Sequence, residues 1–253
     1  MLAHVTVGDG TDLYYQDVGE GPPVVLVHGF STNHLSWWQQ IPTIARRYRC
    51  LAVDQRRFGL SADEGGRGVA AFADDLLALL DALGIERAAL VGHSMGGWSV
   101  ASLATRHPDR VAALVLSATP GGLLSPERHR ELRERATVPD PDPLDDERAF
   151  LADAIADLNR DAPPEWTDVR PTLDGLPLDR ERIARADVPT LLVSGEADGF
   201  MTEGMAEELA GPLGAETATV AGAGHDVFFE KPAAFNECVL EFLDERAAFV
   251  TRE

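Results

Sequence analysis

Short apolar runs without a polar break, separated by helix-patterned stretches, set the strongest limit on what this chain can fold into. Val24–Val27, Leu51–Val53, Ala88–Val91 and Val111–Leu116 are of this kind. A strand with one solvated face alternates polar and apolar residues, whereas a run that is apolar throughout must be covered on both faces. Between the runs lie helical patterns at about 37–47, 69–83 and 96–106. The second carries Phe72, Leu76, Leu79, Leu80 and Leu83 on one stripe and is closed by Gly84. Such alternation calls for a mostly parallel sheet covered by helices on both faces.

The ends of the chain fit the same scheme. Val5, Val7, Leu13 and Tyr15 alternate in the manner of edge strands, followed by a turn at Gly19-Glu20-Gly21. After Thr119 the character changes: residues 120–187 are rich in Asp, Glu, Arg and Pro, with helical pieces near 126–136 and 145–158. A strand then resumes at Thr190–Ser194, with a helix at 203–209, a strand at 216–220 and a closing helix at 232–245. The expected organisation is a core in two parts, 1–119 and 188–253, with 120–187 inserted over one end of the sheet. A chain of 253 residues, 45% hydrophobic and 25% charged, has room for one large α/β core.

The most informative motif is Gly92-His93-Ser94-Met95-Gly96, a G-x-S-x-G placed directly after a strand and directly before a helix. In that setting the serine occupies a tight turn that lifts its hydroxyl clear of the backbone, and the small residues on either side admit the crowded strand and helix. The following N–H, that of Met95, opens a helix and is positioned to stabilise an oxyanion.

With this motif in place, the chain resembles the α/β-hydrolase superfamily, in particular its compact members with a small helical cap. The likeness runs from the first strand to the last helix. His28-Gly29-Phe30 matches the oxyanion loop and Asp54-Gln55-Arg56-Arg57-Phe58-Gly59-Leu60-Ser61 the D-x-R-G-x-G-x-S loop. Gly195-Glu196-Ala197-Asp198 and Gly222-Ala223-Gly224-His225 follow, trailed by Glu230-Lys231-Pro232. Arg57 departs from the family glycine, which bears on the local backbone and not on the chemistry. The resemblance implies an eight-stranded sheet, Ser94 as nucleophile, His225 as base, Asp198 as acid, and the backbone N–H groups of Phe30 and Met95 as the oxyanion hole.

Other candidates for these roles are weaker. His4, His107 and His129 fall in a strand, a helix end and the insertion; His93 belongs to the elbow backbone and His28 to the oxyanion loop. His225 follows the last strand in a Gly-rich turn, and the order serine, acid, histidine suits this fold. The strand ending Leu116-Ser117-Ala118-Thr119 offers no carboxylate, which leaves Glu196 and Asp198 after Val193. The resemblance favours Asp198 and keeps Glu196 in reserve.

Phe30, Trp98, Phe200 and Trp166 are candidates to line the substrate pocket, with Trp38, Met201, Leu123, Leu124, Leu173 and Leu176 as further apolar residues near it. An apolar pocket suits a small neutral ester or lactone. Cleavage of a carbon–carbon bond in a vinylogous diketone, non-hydrolytic lyase, cyclase or oxygenase chemistry, and a catalytically silent ligand-binding module are the alternatives. Relatives with dehalogenase or epoxide-hydrolase chemistry carry aspartate where Ser94 stands.

The formal net charge of −20, from 42 acidic against 22 basic residues, repels nucleic acid and anionic membrane. Both are therefore poor partners, and the small-molecule, ester-like substrate expected is the one that the resemblance implies. Neither cofactor nor metal is called for, no apolar run reaches membrane-spanning length, and the first residues lack a secretory-signal pattern, so a cytoplasmic protein is expected. Cys50 and Cys238 read as buried, inert thiols.

Overall fold

A computed structural model describes residues 2–135, 140, 142–143, 145–160 and 162–247. Its strands are β1 (Leu2–Thr6), β2 (Asp12–Val18), β3 (Pro23–Val27), β4 (Arg49–Val53), β5 (Ala88–His93), β6 (Val111–Ser117), β7 (Thr190–Gly195) and β8 (Glu216–Val220). The helices are α1 (Ile41–Ile44), α2 (Phe72–Ala82), α3 (Met95–Arg106), α4 (Pro126–Arg135), α5 (Asp146–Leu158), α6 (Trp166–Asp174), α7 (Arg180–Arg185), α8 (Glu203–Leu213), α9 (Val227–Glu230) and α10 (Pro232–Arg246).

The strands form one eight-stranded sheet in the order β1-β2-β4-β3-β5-β6-β7-β8. β1 and β2 pair antiparallel, as do β2 and β4; the other neighbours are parallel. The unbroken apolar runs have a direct structural meaning. Val25, Val27, Leu90, Leu114 and Leu116 join one core with α2, α3 and α8, while Val24, Leu26, Ala89, Val91, Ala113 and Val115 join another with α1 and α10. Alternate residues of each strand thus feed opposite faces, as the two-residue period of a strand requires. Burial of this area is the main stabilising term, at roughly 25 cal/mol per Å² of apolar surface.

The strand order reverses between β3 and β5: the chain leaves β3 toward β4 on one side and returns to β5 on the other. Crevices at the C-terminal ends of parallel strands open at such a point. Here that crevice lies between His28-Gly29-Phe30 after β3 and Ser94 after β5.

Several elements differ from the sequence-based expectation. In place of one helix at 37–47 there is a 3-10 turn at His34–Trp37 and the single turn α1; Asn33 caps the former through its side chain, at the Leu35 N–H. Asn33 and Pro42 punctuate this stretch too closely for a long helix. Among the described residues, four helices, α4 to α7, lie between β6 and β7. α6 and α7 were not marked by the sequence pattern, being short and charged. The expected helix end at Ala136 lies outside the described residues, as do the first residue and the last six of the expected core boundaries. Among the described residues, no helix is long and apolar enough to cross a membrane.

Candidate active site

Ser94 links β5 to α3 with φ 47° and ψ −114°, a conformation that non-glycine residues avoid at a cost of roughly 1–3 kcal/mol. The surroundings impose it. A Cβ at Gly92 would sit 2.6 Å from the Gly96 carbonyl oxygen, and one at Gly96 would sit 2.3 Å from that of Val27. Both glycines therefore permit strand, turn and helix to close on one another. The Ser94 N–H donates to the Ser117 carbonyl at 2.9 Å, tying the turn to the neighbouring strand.

His225 Nε2 lies 2.9 Å from Ser94 Oγ, and His225 Nδ1 lies 3.1 Å from Asp198 Oδ1. The carboxylate oxygen can only accept from Nδ1–H, so Nε2 is left to accept the serine O–H. Asp198 is 2% exposed, and its Oδ1 also accepts from the N–H groups of Phe200 (2.7 Å) and Met201 (3.1 Å). Burial pulls the His225 pKa down. The hydrogen bond and charge of Asp198, with the charges of Asp226 and Glu230, more than offset that, and the net displacement is upward from the ordinary imidazole value.

The loops that carry Asp198 and His225 are held together by close backbone packing. A Cβ at Gly195 would fall 2.2 Å from the Gly224 oxygen and 2.3 Å from that of Ala223. Across this contact Ala197 N–H donates to Ala223 at 2.8 Å and Glu196 N–H to Val220 at 3.0 Å. Glu196, the reserve acid, accepts from the Gly222 N–H at 2.9 Å instead of reaching His225. Glu230 accepts from the N–H groups of Gly224 (2.7 Å) and Asp226 (3.1 Å), one on each side of His225. The sequence showed Glu230 only as a trailing motif; its part in holding the histidine turn emerges from the fold.

His28 and His93 have other partners. His28 is fully buried: its Nδ1–H donates to the Gly29 oxygen at 2.8 Å and its Nε2 accepts from the Gln55 N–H at 3.0 Å. Burial lowers its pKa to about 4, so it braces the loop as a neutral ring. His93 is buried and donates from Nε2 to Asp226 at 3.0 Å, its pKa likewise lowered by burial. Gly29 lies against that ring and Ser94: a Cβ there would meet His93 Cδ2 at 2.9 Å and Ser94 Cβ at 3.2 Å. The Met95 N–H opens α3 and is one of the four helical donors without an intrahelical partner.

A cavity of about 260 Å³ contains Ser94 and His225. Phe30, Trp98, Phe200 and Trp166 all line it, together with Ala118, Thr119, Pro120, His129 and Arg170. Arg170 was missed, although its spacing from Trp166 places both on one helix face. The other apolar candidates belong to packing: Leu123, Leu124 and Met201 to the α2/α3/α8 core, Trp38 to the opposite core, Leu173 and Leu176 to a cluster around Phe58 and Met95. A larger cleft of about 400 Å³ lies behind Asp198, but neither Ser94 nor His225 lines it. Burial pushes the thiol of Cys50 up to about 12 and that of Cys238 to about 11, leaving both unreactive near neutrality. Among the described residues, no group of three His, Cys, Asp or Glu side chains could hold a metal ion.

Residues 22–163 match the family model for the alpha/beta hydrolase fold, and residues 165–247 match that of TAP-like proteins. The chain belongs to the α/β-hydrolase family. A proposed carbamate hydrolase of Azorhizobium caulinodans is 31% identical over 259 residues, spanning 94% of this chain and 97% of its own. A thermophilic esterase from Thermogutta terrifontis superposes with a TM-score of 0.78 at 26% identity, covering 98% of this chain and all of the other. Est816, solved as an N-acyl homoserine lactone degrading enzyme, gives a TM-score of 0.72 at 28% identity over 95% of this chain and all of its own.

Proposed function

We propose that this hydrolase is serine-dependent and cleaves a small carboxylic ester or lactone through an acyl-enzyme on Ser94. The observation that carries the reading is the 2.9 Å contact from Ser94 Oγ to His225 Nε2, with Asp198 on the other ring nitrogen. A serine hydroxyl is a weak nucleophile until a base at that position takes its proton. As Oγ attacks the carbonyl carbon, the proton passes to Nε2, and Asp198 stabilises the imidazolium that results. The carbonyl oxygen gains negative charge and is held by the Phe30 and Met95 N–H groups; losing one such donor costs on the order of 3 kcal/mol. The imidazolium then returns its proton to the leaving alkoxide, and the acyl group stays on Ser94. Water, deprotonated by His225, attacks the acyl carbon and releases the acid, restoring the serine hydroxyl.

The helices between β6 and β7 act in this reading as a cap that sets specificity, since α4 and α6 supply His129, Trp166 and Arg170 to the cavity. The similarity to the Thermogutta esterase and to Est816 supports ester or lactone chemistry. A fluorophosphonate probe tests the serine directly. The wild-type chain is expected to be labelled and to turn over a short-chain ester, and Ser94→Ala to do neither while keeping its circular dichroism spectrum. Undiminished turnover by that variant would falsify the assignment.

A further inference from the structure

We propose that Arg170 binds a carboxylate of the substrate, so that the ester or lactone this site cleaves is an acidic one; the inference rests on the serine-hydrolase reading above. Among the residues lining the Ser94 cavity, Arg170 carries the one permanent charge. Its surroundings hold it there as a guanidinium with open donors. Cζ lies 5.5 Å from the Trp98 ring centroid and 5.9 Å from that of Trp166, a double cation–π contact that fixes the group against the aromatic wall. Nε donates to Asp174 Oδ1 at 2.7 Å. That uses one of five N–H donors, and the two terminal nitrogens make no hydrogen bond among the described residues.

The position suits capture of a ligand on its way in. Arg170 and His129 also line an adjoining cavity of about 540 Å³ with Pro126, Arg130, Glu134 and Asp174. The guanidinium thus stands where the outer cavity meets the chamber that contains Ser94. A stacked, planar fork with free terminal N–H groups matches a carboxylate in bidentate fashion. Asp174 already pairs with this guanidinium, so it is the two terminal nitrogens, not a surplus of charge, that would recognise the two oxygens of a carboxylate. Aromatic walls take the hydrocarbon between the two ends of such a molecule.

The test compares esters that differ only in a terminal carboxylate: 4-nitrophenyl hydrogen glutarate against 4-nitrophenyl valerate, with the acid on the acyl side, and 4-acetoxybenzoate against phenyl acetate, with the acid on the alcohol side. In wild type, kcat/KM is expected to favour the acidic member of at least one pair. Arg170→Met should lower that preference about 10- to 100-fold, the loss of a charge-assisted hydrogen-bond pair, mainly through KM. Which pair responds tells whether the carboxylate sits on the acyl or the alcohol part. A wild type without preference in either pair, or a variant in which both members of each pair fall by the same factor, overturns the proposal.

Binding separates this inference from the catalytic reading. Glutarate and benzoate titrated into Ser94→Ala are read by quenching of Trp98 and Trp166 fluorescence, with Ser94→Ala/Arg170→Met as the control. Saturable quenching by either acid that depends on Arg170 supports the carboxylate site even if no ester is cleaved. Cleavage of the neutral esters with no Arg170-dependent quenching leaves the hydrolase standing and removes the acidic substrate.

Discussion

In the proposed mechanism His225 must be neutral to accept the Ser94 proton, and its surroundings favour the charged form. Burial works against protonation, but Asp198, Asp226 and Glu230 together raise its pKa above the ordinary value of 6.5. In our reading activity therefore appears only as pH rises through that raised pKa, so the acid limb of kcat/KM should be centred above 6.5. Replacing Asp226 by Asn removes one of the raising charges and should move the limb to lower pH; a limb unmoved in Asp226→Asn would refute this account. Asp198→Asn should lower kcat by roughly 10⁴-fold, because the histidine then loses both its tautomer and its charge partner. Arg57 makes a separate point at this scale. It stands where relatives usually have glycine and keeps a left-handed backbone, φ 70°. Relief of that strain is worth about 1–2 kcal/mol, and the added freedom of glycine in the unfolded chain takes back about 0.4–1 kcal/mol. Arg57→Gly is thus expected to raise stability by about 0.5–1 kcal/mol in urea unfolding, with activity retained.

The elements converge on the site because loops from different strands touch through bare backbone. Gly195 allows the turn after β7 to meet the turn after β8, and a methyl group there would fall 2.2–2.3 Å from two carbonyl oxygens. Gly195→Ala should therefore push Asp198 away from His225. We expect a loss of about 1–3 kcal/mol in stability and of at least about 10²-fold in kcat, since a displacement near 1 Å suffices for that. A variant with wild-type kinetics would show that this contact does not set the geometry. Much of this was legible in the residues themselves. Apolar runs gave the buried strands, and Gly92 and Gly96 marked the turn at Ser94. The loop between β3 and α1 was not, because Asn33 caps a 3-10 turn whose apolar residues mimic a longer helix. The cap was least legible of all, for a physical reason. Its helices are rich in charge, and two of the residues that reach the cavity, His129 and Arg170, are polar, so a search for apolar stripes passes over them. Arg56 also hides its structural role in sequence: it is 1% exposed and bonds Asp9, Asp63 and Asp75 at 2.6–2.8 Å.

At the scale of the whole molecule, charge is the dominant peculiarity. Pairing all 22 basic residues with acidic ones would still leave 42 − 22 = 20 carboxylates without a counter-charge. Many described ion pairs are exposed, such as Arg67–Asp74 and Arg246–Glu216, and pairs of that kind contribute about 0–1 kcal/mol each. Repulsion among the surplus carboxylates acts over the full surface and favours the expanded chain. Salt weakens both effects, and the excess decides the sign: screening should stabilise this protein. Raising NaCl from 0.01 to 0.5 M shortens the screening length from about 30 Å to a few ångströms. A gain of about 1–2 kcal/mol would move Tm upward by about 3–6 °C for a chain of this length. The rise should level off once the screening length falls below the spacing of surface charges, which separates it from the continuing effect of excluded salts such as sulfate. Buried networks around Arg56 lie outside the reach of screening and should not reverse the trend. A Tm that falls with added NaCl would mean that the surface pairs outweigh the unpaired excess.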